Sequence, residues 1–98
     1  MNATLVYTPQ ALIIQPADSR IDAAVAVDFK DYLLSVIARG QCNMVIDLSR
    51  VESIDSSGIA ALLVGLKMLG PRGDLALCNM RPDVARAFSI TRMDRVLC

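Results

Sequence analysis

The chain predicts an α/β fold, a mostly parallel mixed β-sheet with helices packed on it, in the order β-β-α-β-α-β-α-β. Three observations carry this. Short β-branched or apolar runs alternate with longer segments whose apolar residues recur every three or four positions, and glycine, proline or polar breakers stand between them. Such alternation calls for parallel strands joined by helical crossovers, each held right-handed against the sheet. The 98 residues suffice for one core and not for two, so residues 1–98 are read as a single domain.

Residues 4–7 (TLVY) and 11–15 (ALIIQ) flank Thr8-Pro9-Gln10 and read as a hairpin or two neighbouring strands, because proline fixes φ and interrupts the ladder. Pro16 ends the second run, and residues 17–21 form a polar loop. Asp22 has the chemistry of an N-cap, and behind it Val25, Phe29, Leu33, Val36 and Ile37 recur at helical spacing until Gly40 stops the helix. Residues 43–48 (NMVIDL) are too short and too apolar for a surface helix and read as a buried strand. A second helix is expected over 57–69, ending at Gly70-Pro71-Arg72-Gly73. Residues 75–78 make another strand. Pro82 suits the first turn of a third helix, with Val84, Ala85 and Phe88 as its apolar face, and 93–97 reads as a last short strand.

Apolar residues make up 54% of the chain and formal net charge is zero, which argues against disorder and against a polyanion-binding surface, so no direct nucleic-acid partner is expected. Charge is uneven: residues 1–66 hold four basic and seven acidic side chains, residues 67–98 six and three. Such a polarity could orient a docking surface. The longest apolar run, residues 59–66, falls far short of the ~20 residues of a membrane span, and the N-terminus has no secretory pattern. The reading is a cytoplasmic protein without a membrane partner. Cys42, Cys78 and Cys98 lack close spacing and are taken as buried, reduced thiols, with no metal and no cofactor.

Histidine is absent, which removes the usual general base, the commonest metal ligand and the serine–histidine pair. The chain is therefore read as a non-enzyme. Ser56 as a nucleophile beside Asp47 or Asp55 is set aside, since no histidine or obvious lysine would activate it. Asp47 is instead taken as a hydrogen-bonded acid at a strand end, and the methionines as core and gap filling.

The informative stretch is Asp55-Ser56-Ser57-Gly58, between an apolar strand and an apolar helix. Ser56 or Ser57 can cap that helix, and Gly58 permits close approach of backbone or a partner. At ~100° per residue, Ile59, Leu62, Leu63, Leu66 and Leu69 form one stripe facing the sheet. The opposite face holds Ala60, Ala61, Val64, Gly65 and Met68, with Lys67 to one side. A helix apolar all round is covered twice or offers a patch, and in so small a chain the second face is read as a partner surface beside two hydroxyls.

Ile54-Asp55-Ser56-Ser57-Gly58-Ile59 in this setting closely resembles the signature of STAS domains, specifically of bacterial anti-sigma factor antagonists. The element order matches from about residue 4 to 97, and GDLALCNMRPDVARAF is similar to the family's next strand and third helix. The resemblance implies that Ser56, directly after the aspartate, is phosphorylated by an anti-sigma factor that is also a serine kinase. The unphosphorylated form would bind that kinase and free the sigma factor; the phosphorylated form would not, and a PP2C-type phosphatase would restore it. Asp22 matches the family's partner-contacting acid, and with Arg20, Asp55, Ser57, Gly58, Ala60, Ala61 and Val64 completes the expected partner surface. Two departures stand out. Ser19-Arg20-Ile21-Asp22 replaces the family's usual Gly-Glu-Leu-Asp, so Arg20 implies a partner of altered charge, and the family's usual C-terminal helix is not present in this chain. The alternative reading is a STAS adaptor subunit of a lipid or anion transport complex, against which Ser56 argues, because such an adaptor needs no phospho-acceptor there.

Overall fold

The computed structural model describes residues 2–91, with side chains as far as residue 87. The expected strand at 93–97, the third thiol Cys98 and the side chain of Phe88 lie outside the described residues.

Strands β1 (Ala3–Tyr7) and β2 (Leu12–Pro16) form an antiparallel hairpin. Its turn is closed by Thr8, whose backbone N–H and hydroxyl both donate to the Ala11 carbonyl, at 2.9 and 2.8 Å. Strands β4 (Asn43–Asp47) and β6 (Asp74–Cys78) then extend β2 in parallel, giving the order β1-β2-β4-β6. The first crossover carries helix α1 (Ala23–Ala38) and the second α2 (Ser56–Leu69). Because β2, β4 and β6 advance in one direction, right-handed crossovers place both helices on the same face. Alternate strand residues show this: Leu12, Ile14, Met44, Ile46, Leu75 and Leu77 are buried beneath the helices, whereas Ile13, Val45 and Ala76 on the other face are half-buried.

Helix α1 buries Phe29, Leu33 and Val36 of the expected stripe together with Ala26, which the periodicity did not single out, while Val25 and Ile37 are only half-buried at its margins. Asp22 caps it, its carboxylate accepting from the Ala24 N–H at 3.0 Å, and Gly40 leaves it at φ +97°, a conformation natural to glycine. After α2 the chain passes through a short 3-10 turn, Gly70–Arg72, into β6, and α3 (Pro82–Thr91) follows with Val84 fully buried.

Two elements were not expected. The polar loop at 17–21 contains β3 (Arg20–Ile21), which pairs in parallel with β5 (Ser53–Ile54). The Ser19 carbonyl accepts from the Glu52 and Ser53 N–H groups at 2.7 and 3.2 Å, and the Ile21 carbonyl accepts from the Asp55 N–H at 3.2 Å. This small ladder lies outside the main sheet and joins the entrances of α1 and α2.

The thiols differ from expectation. Cys42 is exposed and free, so it is not a buried thiol, and Cys78, half-buried at the end of β6, is disulfide-bonded rather than reduced.

Candidate functional site

The β3–β5 ladder pairs Ile21 with Ile54, so the next residues along, Asp22 and Asp55, open two neighbouring helices side by side. Each aspartate is an N-cap in extended conformation. The Asp55 Oδ1 accepts from the Ser57 N–H at 2.9 Å and from the Gly58 N–H at 3.1 Å. The cap of α2 is thus Asp55, and the expectation that Ser56 or Ser57 fills that position is corrected. A carboxylate two bonds from the backbone reaches two first-turn amides at once and complements the positive end of the helix, which a hydroxyl does less well.

That exchange frees Ser56. It is the first residue of α2, exposed, and its hydroxyl has no hydrogen-bond partner among the described residues. Ser57 is half-buried and turns toward α1, where it helps line a shallow groove of about 460 Å³ between the two helices. From α2 the groove takes Ala60 and Val64 as well, and from α1 it takes Ala23, Val27 and Lys30. Val27 is 58% exposed. The α1 wall was missed in the sequence, although the small residues after Asp22 mirror those after Asp55 and carry the signal.

Two residues expected on a partner surface are placed otherwise. Gly58 is buried, and a β-carbon there would stand 2.6 Å from Ile54 Cγ1 and 2.7 Å from both Ile21 Cγ2 and the Ile21 carbonyl oxygen. It is glycine so that α2 can start against the β3–β5 ladder, not to admit a partner. Ala61 is only 3% exposed and forms the groove floor, because α1 covers that side of α2. Gly65 belongs to the same contact, with Leu33 Cδ1 3.2 Å from where its β-carbon would be. The second cover of the apolar helix is therefore α1. Correspondingly, Leu63, expected in the core, is 36% exposed. Arg20 and Ala60 are exposed and Asp22 and Val64 half-buried around the same corner.

Asp47 lies apart from this corner, at the end of β4, and its role is structural. It accepts from the Ser49 N–H at 2.9 Å, from Asn79 Nδ2 at 3.3 Å and from Gln15 Nε2 at 3.3 Å, linking the ends of β2, β4 and β6. Partial burial pushes its carboxyl pKa up, but the hydrogen bonds from Ser49, Asn79 and Gln15 together outweigh burial and hold it below its ordinary value.

A four-stranded, mostly parallel sheet bearing two aspartate-capped helices on one face, with an exposed serine at the first position of the second helix, defines a class of small α/β domain. The STAS domain family model matches residues 3–97, and the chain belongs to that family. It is 31% identical over 72 residues to BtrV of Bordetella bronchiseptica, a protein named as a candidate anti-sigma factor antagonist, in an alignment covering 72% of this chain and 62% of that protein. The chain thus spans less than two thirds of that relative's length. Among solved structures it resembles a Thermotoga maritima protein named as a candidate anti-sigma factor antagonist, with TM-score 0.87 and 26% identity, over 97% of this chain and 82% of the other. The fold is also that of the anti-sigma factor antagonist SpoIIAA in its unphosphorylated form, with TM-score 0.84 and 18% identity, over 99% and 86% of the two chains. No helix among the described residues is long and apolar enough to cross a membrane.

Proposed function

We propose that this STAS domain is an anti-sigma factor antagonist whose unphosphorylated form binds an anti-sigma factor with serine-kinase activity and so frees a sigma factor. Phosphorylation of Ser56 switches that binding off, and a PP2C-type phosphatase reverses it. The observation that carries the reading is the exposed, unengaged Ser56 hydroxyl at the first position of α2. The relationship to a named antagonist supports the partner class.

Electrostatics supply the switch. A phosphoserine adds about −1.5 to −2 charges and three acceptor oxygens. The nearest first-turn amides, of Ser57 and Gly58, are already held by Asp55. A phosphate at Ser56 would compete with that carboxylate for the amides and enlarge an acidic pair, Asp22 and Asp55, at the two helix entrances. In a docked complex it would also have to leave water, at a cost of several kcal/mol and hence a large factor in affinity.

The test is to bind the partner from a native-host lysate on immobilised domain, then add ATP and locate phosphate by tandem mass spectrometry. Phosphate on Ser56, with release of the partner and no binding by a folded Ser56→Asp variant, is the expected result. Phosphate confined to Ser57, or equal retention by Ser56→Asp, would overturn the assignment.

A further inference from the structure

Among the described residues strand β1 borders only β2, and its other edge meets no strand. The N–H of Thr8 donates to Ala11 and the N–H of Ala17 donates to Asn2, at 2.9 and 3.0 Å, which fixes the phase of the antiparallel ladder. Residues exchanging hydrogen bonds with β2 alternate along β1, so Thr4 and Val6 turn their backbone groups inward. Ala3, Leu5 and Tyr7 turn theirs outward, and no partner meets them among the described residues.

Natural sheets protect such an edge with charge, proline, a bulge or a covering element. Here the strand reads Ala-Thr-Leu-Val-Tyr, without charge or proline, and its five pairs with β2 run without a bulge. Three consecutive large apolar side chains are exposed on it, Leu5 at 38%, Val6 at 49% and Tyr7 at 66%. The chemistry this edge accepts is another extended backbone with uncharged side chains. A second copy offers that, and because the formal net charge is zero, two copies meet without net repulsion.

We propose that the outer edge of β1 is a homodimerisation surface, on which two copies pair antiparallel through Ala3, Leu5 and Tyr7 into one continuous sheet. With Leu5 opposite Leu5 of the second copy, Ala3 lies opposite Tyr7, and every outward N–H and C=O of these three residues finds a partner. The two-fold axis stands normal to the sheet, so both helix layers share one face and both Ser56 corners remain open. The proposal is independent of what binds there. A five-residue edge buries less than the ~1,200 Å² of a standard stable interface, so the dimer is weak and forms with rising concentration.

Sedimentation of the full chain over a wide concentration range should show monomer passing to dimer. The decisive variant is Leu5→Pro, because the N–H it removes serves the open edge and not the β1–β2 ladder. It should weaken dimerisation by about tenfold or more, two hydrogen bonds being lost across the axis. Amide exchange on the wild type needs no variant: protection of the Leu5 and Tyr7 N–H groups should rise with concentration, while that of Thr4 and Val6 stays constant. A chain monomeric throughout, a dimer unaffected by Leu5→Pro, or outward amides unprotected in the dimer would each overturn the proposal. An edge that stays monomeric alone and is protected only by an added extended peptide would overturn it in favour of strand addition by a partner.

Discussion

Asp47 gives the molecule an acid-sensitive joint. Its carboxylate is stabilised in the fold by three donors, so its pKa lies below the value it takes in the unfolded chain. The folded state then binds that proton less readily, and the contribution to stability is fully present above the unfolded pKa and lost as pH falls through the folded one. Denaturation midpoints should therefore decline on acidification below about pH 4, and Asp47→Asn should flatten that decline. Equal acid slopes for wild type and variant would remove Asp47 from the account. At this scale the sequence was uneven. The acid at the strand end was legible as a hydrogen-bonded group because a charge beside an apolar strand needs partners, but Gln15, Asn79 and Ser49 come from distant points of the chain. The cap at Asp55 was obscured because three adjacent residues all have capping chemistry and only backbone dihedrals decide among them.

Helix α2 shows what a single helical wheel conceals. The wheel seeks one buried direction, whereas α2 has two, one toward the sheet and one toward α1. The buried set is accordingly Ile59, Ala61, Leu62, Gly65 and Leu69, with Leu63 rotated outward. Small residues at 61 and 65 bring the helices close, which is why an apolar second face needed no outside partner. Leu62→Ala should cost ~2–5 kcal/mol by leaving a cavity, while Leu63→Ala should cost well under half of that. Thermal melts of the two variants separate them, and equal losses would show that the assigned facing is wrong. Strands β3 and β5 were illegible for another reason: two residues carry no periodicity, and each exists because the other lies beside it.

At the scale of the whole molecule, alternation of apolar runs and amphipathic segments was enough to give the mostly parallel sheet, since a parallel pair needs a long crossover and the chain supplies a helix of suitable length each time. What alternation does not reveal is the arrangement at the helix entrances. The groove there depends on α1 and α2 lying together, and only the direction in which β2, β4 and β6 advance brings that about.

The interior position of β4 carries a consequence in time. Each of its parallel partners joins residues about thirty positions apart, so neither pairing forms until a helical crossover has been closed. The strand is the meeting point of two expensive closures, and the rate-limiting ensemble should already hold it between β2 and β6. Ile46→Val, which trims a fully buried β4 side chain, should therefore act mainly by slowing refolding in stopped-flow chevrons. Val84→Ala, equally buried but on peripheral α3, should act mainly by speeding unfolding. If Ile46→Val instead moves only the unfolding limb, the sheet centre is assembled after the barrier and the chain commits to its fold through the helices alone.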